Sequence, residues 1–350
     1  MQSSFGKNIR ITIDGGSHEE EIGVTIEGLP PDLEIDMDKL QAFLDRRAPG
    51  RSPFTTARKE ADVPVKVSDK PLRFVIRNTD VRSSDYRTVN RIPRPGHADY
   101  TAYLKYGDTI NMAGGGPFSA RMTAPLCIAG GIALQRLERR GVAVCSHIFS
   151  ITDVYDEPFD PMMEEPPQIE DPSFPVLSPP AGEAMKEEII AARDDLDSVG
   201  GVVETAVIGL SGGYGGPMFD GVESRLAPIL FGIPAVKGVE FGAGFASAYL
   251  RGSENNDPFI ISNGRVITAS NCHGGILGGI TSGMPIITRV AFKPTPSIGQ
   301  PQQSVDLETM KPATLNIKGR HDPCVVVRAV PVVEAAIAIG LLDLTMEEDK

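Results

Sequence analysis

From about residue 119 to 140 the chain lays out a helix built on Ala124, Ala129, Gly130, Gly131 and Ala133, with small residues where a surface helix would turn a polar stripe to solvent. Such a helix is stable only when neighbouring elements cover it. Cover is available on both flanks. Residues 9–13 (Ile-Arg-Ile-Thr-Ile) alternate and are β-branched, and residues 22–26 repeat the pattern after the turn Asp14-Gly15-Gly16-Ser17-His18. Further strands are expected at 72–77, 201–210, 286–292 and 324–330. A short helix carries Leu40, Phe43 and Leu44, capped by Asp36 or Asp38 and stopped by Pro49-Gly50. Helices at 184–197 and 332–344 complete the pattern. Regular βαβ repeats are few, so the expected class is α+β, with antiparallel sheets enclosing apolar helices. Residues 22–30 and 201–209 are similar apolar runs ending in glycine, a trace of internal duplication.

A length of 350 residues suits two average domains or one large one. One domain over 1–350 is expected, with an acidic, proline-rich surface insertion at about 153–182. The net charge of −12 argues against a general nucleic-acid binder. No uninterrupted apolar run reaches the ~18 residues of a bilayer span, so no membrane partner is expected. The first seven residues lack an apolar signal core, and Cys127, Cys145, Cys272 and Cys324 are widely spaced. That spacing fits neither a zinc ribbon nor a disulfide scaffold, and the expected location is the cytoplasm.

Common motifs fail on context. There is no G-x-x-x-x-G-K-[ST], and Gly242–Ser247 approaches the dinucleotide fingerprint without a strand–helix frame. Gly209-Leu210-Ser211-Gly212-Gly213 matches G-x-S-x-G, but the following glycines and Pro217 supply no helix for a nucleophile elbow. Cys272-His273 and the distant His321 have poor ligand spacing, so no metal is expected. What remains is a set of glycine-flanked cations and imidazoles: His18, Arg46-Arg47, His97 with Asp99, Ser119 with Arg121, Lys293 to Ser297, and Arg320-His321-Asp322. Glycine lets a ligand approach the backbone, a helix start beside a guanidinium attracts anions, and imidazoles exchange protons near neutrality. By residue chemistry alone the ligand is a small phosphorylated or carboxylated anion, and His147, in an apolar run, reads as structural.

These segments together resemble the chorismate synthase family along nearly the whole chain. The resemblance is carried by Arg94-Pro95-Gly96-His97-Ala98-Asp99-Tyr100-Thr101, Asp197-Ser198-Val199-Gly200-Gly201-Val202-Val203-Glu204, Ala235-Val236-Lys237-Gly238-Val239-Glu240-Phe241-Gly242, the glycines of 274–279, and Gly319-Arg320-His321-Asp322-Pro323-Cys324-Val325-Val326. Phe118-Ser119-Ala120-Arg121-Met122-Thr123-Ala124-Pro125 looks like the clostridial-type branch. The resemblance implies a β-α-β sandwich, a homotetramer, and the elimination of phosphate and a ring proton from 5-enolpyruvylshikimate 3-phosphate to give chorismate. It implies reduced FMN, which lends electron density to the allylic system, with NADPH as the candidate reductant. By the same resemblance His18 protonates departing phosphate, His97 protonates the reduced flavin, and Asp322 works with it in taking the ring proton. Arg47, Arg121 and Arg320 would face the substrate. Ser119, Gly278, Lys293, Pro294, Thr295, Pro296, Ser297 and Arg320 would bind the flavin.

The chain departs from the family pattern around these residues. Glu19 follows His18 where glycine is expected, and a glycine- and threonine-rich segment after Val67-Ser68 is reduced to Asp69-Lys70-Pro71. Pro53 and Ala113 stand where arginines are common, and Ser270-Asn271-Cys272-His273 replaces an asparagine run. The alternative reading is a catalytically weakened relative that binds flavin and anions.

Overall fold

The computed structural model describes residues 2–30, 33–50, 54–55, 60–78, 91–109, 112–317 and 322–348. Strands β1 (Gln2–Phe5), β2 (Arg10–Gly15) and β3 (Glu21–Glu27) open the chain. Helix α1 (Met37–Arg47) follows, then β4 (Val65–Asp69) and β5 (Leu72–Arg77). They form a five-stranded antiparallel sheet in the order β1-β2-β3-β5-β4. Asp36 caps α1, its Oδ1 accepting from the Asp38 and Lys39 N–H groups at 3.0 Å each. The shortened segment at 69–72 is the closing turn of the β4–β5 hairpin, with Asp69 opposite Leu72.

Helix α2 (Asp99–Tyr106) and two 3₁₀ segments, Ala113–Phe118 and Ala120–Met122, lead into α3 (Thr123–Glu138). The long helix therefore starts at Thr123, later than its apolar pattern suggests, because Gly114, Gly115 and Gly116 all adopt positive φ (61°, 93° and 52°) and Ser119 is extended. Next come β6 (Ala143–Ile151), β7 (Val154–Tyr155), α4 (Pro179–Asp194), β8 (Gly201–Ile208), α5 (Val222–Phe231), β9 (Val236–Phe241) and a single turn, α6 (Gly252–Asn255). Two small hairpins, β10 (Phe259–Ser262) with β11 (Arg265–Thr268) and β12 (Ile276–Leu277) with β13 (Ile280–Thr281), precede β14 (Ile286–Phe292). A third hairpin, β15 (Gln302–Asp306) with β16 (Lys311–Leu315), precedes α7 (Val326–Glu348). The second five-stranded antiparallel sheet has the order β7-β6-β8-β14-β9.

The fold is α+β. Helix α3 packs on β2, β3 and β5, α7 packs on β6 and β8, and α3 lies against α7, so the helices are enclosed between the sheets. A Cβ at Gly130 would overlap the Cα and Cβ of Ala335, which is why the small residues of α3 are needed where it meets α7. One apolar cluster runs from Ile9 through both sheets and the helices to Leu344. The duplication trace has a topological counterpart. Strands β3 and β8 are each the middle strand of their sheet, and each runs into a glycine, Gly28 or Gly209, with φ of 83°.

Of residues 324–330, expected as a strand, only Cys324 makes a β-bridge, to Val199, and residues 326–330 instead start α7. The run Val325-Val326-Val327 has strand propensity, but a helix buried on every face is recruited by packing. Pro331, which looks like a boundary, lies inside the helix at its sixth residue, where it removes the N–H that would bond to Val327 O, and burial of the helix outweighs that loss. Helix α7 is long and apolar enough to cross a membrane by length and composition (mean hydropathy 1.8), yet 94% of that window is buried in the molecule. The segment at 153–182 is tied to the second sheet: the Ile148 N–H donates to Pro175 O at 2.8 Å, and Phe159 and Phe174 are buried.

Candidate active site

The three positive-φ glycines make a turn without side chains, and two imidazoles lie against it. A Cβ on Gly114 would overlap ring atoms Cε1 and Nδ1 of His18, and one on Gly115 would lie 3.3 Å from His97 Nε2 and 3.4 Å from Ser119 Cβ. This stretch thus brings together His18, His97 and Ser119. The Ser17 N–H donates to Gly116 O at 3.4 Å, and the Ser119 hydroxyl accepts from Arg121 N–H at 3.3 Å.

His97 is oriented from behind. Its Nδ1 lies 2.6 Å from Asp99 Oδ1, and Arg94 grips the same carboxylate through Nε and Nη2, both at 2.7 Å. Burial opposes ionisation of Asp99, but the hydrogen bonds from Arg94 and His97 outweigh it and hold the carboxyl well below the usual range. An ionised Asp99 requires the proton on His97 Nδ1, so Nε2 is the nitrogen turned toward the glycines. Arg94 Nη1 also donates to Ser297 Oγ at 3.1 Å, and Lys293 Nζ donates to Gly96 O at 2.8 Å. Burial and then the nearby Lys237 lower the Lys293 pKa. Thr295 donates to Asp322 O at 2.7 Å.

The circuit closes on the other side. Asp322 Oδ2 accepts from Arg328 Nη1 at 3.1 Å, and Arg328 Nε donates to Arg47 O at 3.0 Å. Arg47 donates through Nε and Nη2 to Asp62 Oδ2, and Arg121 Nη1 donates to Asp62 Oδ1. Burial would raise the Asp62 carboxyl, yet the two guanidinium groups win and lower it. Arg121 Nε donates to Asn78 Oδ1 at 3.2 Å, and Asn78 Nδ2 donates to Gly16 O, two residues before His18, at 3.2 Å. Each Arg47 nitrogen donates to protein, the third to Thr123 Oγ1 at 3.3 Å. Arg121 Nη2, by contrast, is buried with no partner among the described residues. A buried, unsatisfied guanidinium nitrogen costs free energy unless an anion meets it.

His18, His97, Arg47, Arg121, Ser119, Lys293, Thr295, Ser297 and Asp322 therefore belong to one connected ring. Pro294 and Pro296 frame its Lys293–Ser297 stretch, and a Cβ on Gly96 would touch Pro296 Cβ at 3.5 Å. Gly278 lies elsewhere, in the exposed turn between β12 and β13, and the bonds of that hairpin run to the 212–222 loop. Arg320 lies outside the described residues. Glu19 is exposed and folds back on Gly16, 3.1 Å from where a Cβ would stand, which keeps its charge at the rim. Sequence reasoning missed Asp62, Asn78 and Arg328. No periodicity marks them, and only burial of charge reveals them.

Three comparisons bear on this arrangement. The chorismate synthase family profile matches residues 9–346. A chorismate synthase from Thermococcus gammatolerans is 47% identical over 353 residues, covering 97% of this chain and 96% of that protein. One from Lancefieldella parvula is 42% identical over 369 residues, covering 98% and 96%. A crystal structure of chorismate synthase shares the fold with a TM-score of 0.74 at 23% identity, over 98% of this chain and 93% of that one.

Proposed function

The chain belongs to the chorismate synthase family, and from that premise we propose that the ring around the glycine turn converts 5-enolpyruvylshikimate 3-phosphate to chorismate and phosphate. It is a lyase of the shikimate pathway, serving aromatic amino acid biosynthesis. The observation that supports the site assignment is the run of hydrogen bonds from Gly16 O through Asn78, Arg121, Asp62, Arg47 and Arg328 to Asp322 and Thr295, with Lys293 bonded to Gly96 O and with His18 and His97 both against the glycine turn.

The residues present fit a reduced flavin mononucleotide. Lys293 keeps donors beyond its bond to Gly96, Thr295 can still accept and Ser297 can still donate, a set suited to a phosphate and a ribityl chain. Ser119 and the glycine turn offer a backbone surface without side chains, and Arg320 completes the proposed set at this ring, while Gly278, on the β12–β13 turn, belongs to the set only by the family resemblance. When bound, reduced FMN supplies electron density to the allylic system. Within the chain, Arg121 Nη2 meets a substrate anion, while Arg47 and Asp62 fix the angle of that guanidinium. Arg320 adds a further cation. His18 gives a proton to the departing phosphate, His97 exchanges a proton through Nε2, the nitrogen turned toward the glycine turn, and Asp322, steadied by Arg328, takes the ring proton.

The continuous core supports one domain over residues 1–350, carrying the acidic 153–182 segment on its second sheet. A homotetramer is proposed with it. Its support is exposed apolar surface: Phe259, Ile261 and Val266 on the β10–β11 hairpin, and Phe245 and Tyr249 in the 244–249 segment. Four free cysteines suit a reducing cytoplasm. The deciding experiment is anaerobic: purified protein, photoreduced FMN and 5-enolpyruvylshikimate 3-phosphate, with phosphate and chorismate followed together. Equal release of both is expected. Tight flavin binding without turnover would favour the weakened, flavin- and anion-binding relative instead. Repeating the assay with oxidised FMN and NADPH tests whether the protein reduces its own flavin.

A further inference from the structure

Three side chains outside that ring come together from separate loops. Asp257 lies between α6 and β10, His273 precedes β12, and Ser282 directly follows β13. Asp257 Oδ1 accepts from Ser270 Oγ at 2.6 Å and from the Cys272 N–H at 2.8 Å. Its Oδ2 accepts from the His273 N–H at 2.9 Å and faces His273 Nδ1 at 2.5 Å. Burial opposes the charge, but the bonds from Ser270, His273 and Cys272 lower this carboxyl to about 2. An ionised acceptor fixes the proton on His273 Nδ1, which leaves the Nε2 lone pair facing Ser282 Oγ at 3.1 Å.

We propose that Ser282 is an activated nucleophile with His273 as its general base and Asp257 as the carboxylate that orients the base, forming a second site that cleaves small esters of apolar acids. The geometry meets the general requirement that the nucleophile bond to a base which a third group holds in one tautomer. Ser282 is half-buried between the exposed Ile280 and Gly283, with buried Thr281 beside it, so its hydroxyl lies close to the surface. Ile280 and its cross-strand partner Leu277 are exposed and provide an apolar rim beside the hydroxyl. Gly283, at φ 87°, adds no side chain next to it. Beneath, Thr281 Oγ1 donates to Ser211 O at 2.8 Å, so the G-x-S-x-G loop whose own serine lacks a helix serves here as the support. Among the described residues, no hydrogen bond from the three side chains reaches His18, His97, Arg47, Arg121 or Asp322.

In the step proposed, Ser282 Oγ bonds to the ester carbonyl carbon as its proton passes to His273 Nε2. The ester C–O bond breaks and the alcohol leaves with that proton. Water, deprotonated by the same imidazole, then splits the acyl-serine, releasing the acid and restoring the hydroxyl.

The test uses the full chain and an alkyl fluorophosphonate, which forms an Oγ–P bond as fluoride departs and the serine proton is released. Intact mass and peptide mapping are expected to find one adduct per chain, on Ser282. Labelling should vanish in Ser282→Ala, and slow by about 10²-fold in His273→Gln, which keeps a donor toward Asp257. p-Nitrophenyl acetate hydrolysis should fall in parallel. Absence of an adduct, an adduct that persists in Ser282→Ala, or an unchanged rate in His273→Gln would overturn the proposal. Ser282→Ala removes a single hydroxyl, so it stays decisive even if the histidine variant folds poorly.

Discussion

His97 directs its Nδ1 at Asp99 Oδ1 across 2.6 Å, and this pair decides which ring nitrogen faces the glycine turn. Replacing His97 by alanine removes a proton-exchanging group and little packing. Turnover should fall by about 10²- to 10⁴-fold with the thermal transition nearly unchanged, as read by anaerobic phosphate release and melting curves. Asp99→Asn should lose comparable turnover and melt lower as well, because buried Arg94 then lacks its countercharge. Wild-type turnover in His97→Ala would remove the assigned role.

Asp322 gives a second separation of chemistry from stability. Its carboxylate meets Arg328, while its backbone carbonyl receives Thr295. Asp322→Asn retains an oxygen for Arg328 and leaves the Thr295 bond in place. The expected result is a severe loss of turnover with a melting temperature close to wild type. If the asparagine variant turns over normally, the proton acceptor is another group.

Asp62 is fully buried between Arg47 and Arg121. Asp62→Asn leaves those guanidinium groups without the carboxylate charge, at a cost of about 3–5 kcal/mol. Inorganic phosphate should recover part of that loss, and should raise the melting temperature of the variant more than that of the wild type. Equal shifts in both proteins would argue that no anion binds beside Arg121.

Much of the layout was legible because strand alternation and small-residue helices report burial directly. Residues 72–77 and 286–292 stand where the sequence pattern puts strands, and of the two candidate caps, Asp36 and Asp38, Asp36 is the cap. Val325-Val326-Val327 suits a strand locally, whereas enclosure between the sheets makes residues 326–330 helical. At the site, glycine-flanked histidines and arginines were visible as motifs. Asp62 and Arg328 were not, since a buried countercharge looks in sequence like any surface residue. The Asp257–His273–Ser282 contact was hidden for a related reason: its members are joined only by the folding back of two loops.

A pH dependence of stability follows from His147, which is buried with Asp156 2.8 Å from Nδ1 and Glu204 3.0 Å from Nε2. Burial would lower its pKa, but the two carboxylates raise it, and His147 in turn helps hold Asp156 and Glu204 below their usual values. Asp156 also accepts from the Leu177 and Ser178 N–H groups, and Glu204 from Phe159 N–H, so the cluster fastens the 153–182 segment to the sheet. The raised imidazole stabilises the fold fully below its unfolded pKa of about 6.5, and that contribution fades as pH climbs through the folded value. The lowered carboxylates contribute above about pH 4 and lose their contribution as pH drops through their folded values. Urea unfolding should therefore show this contribution greatest between about pH 4 and 6.5, with a decline on the alkaline side. His147→Gln, which cannot ionise, should unfold at lower urea near pH 6 and lack the alkaline decline. A variant curve parallel to wild type from pH 6 to 9 would mean that His147 stays neutral in the folded protein.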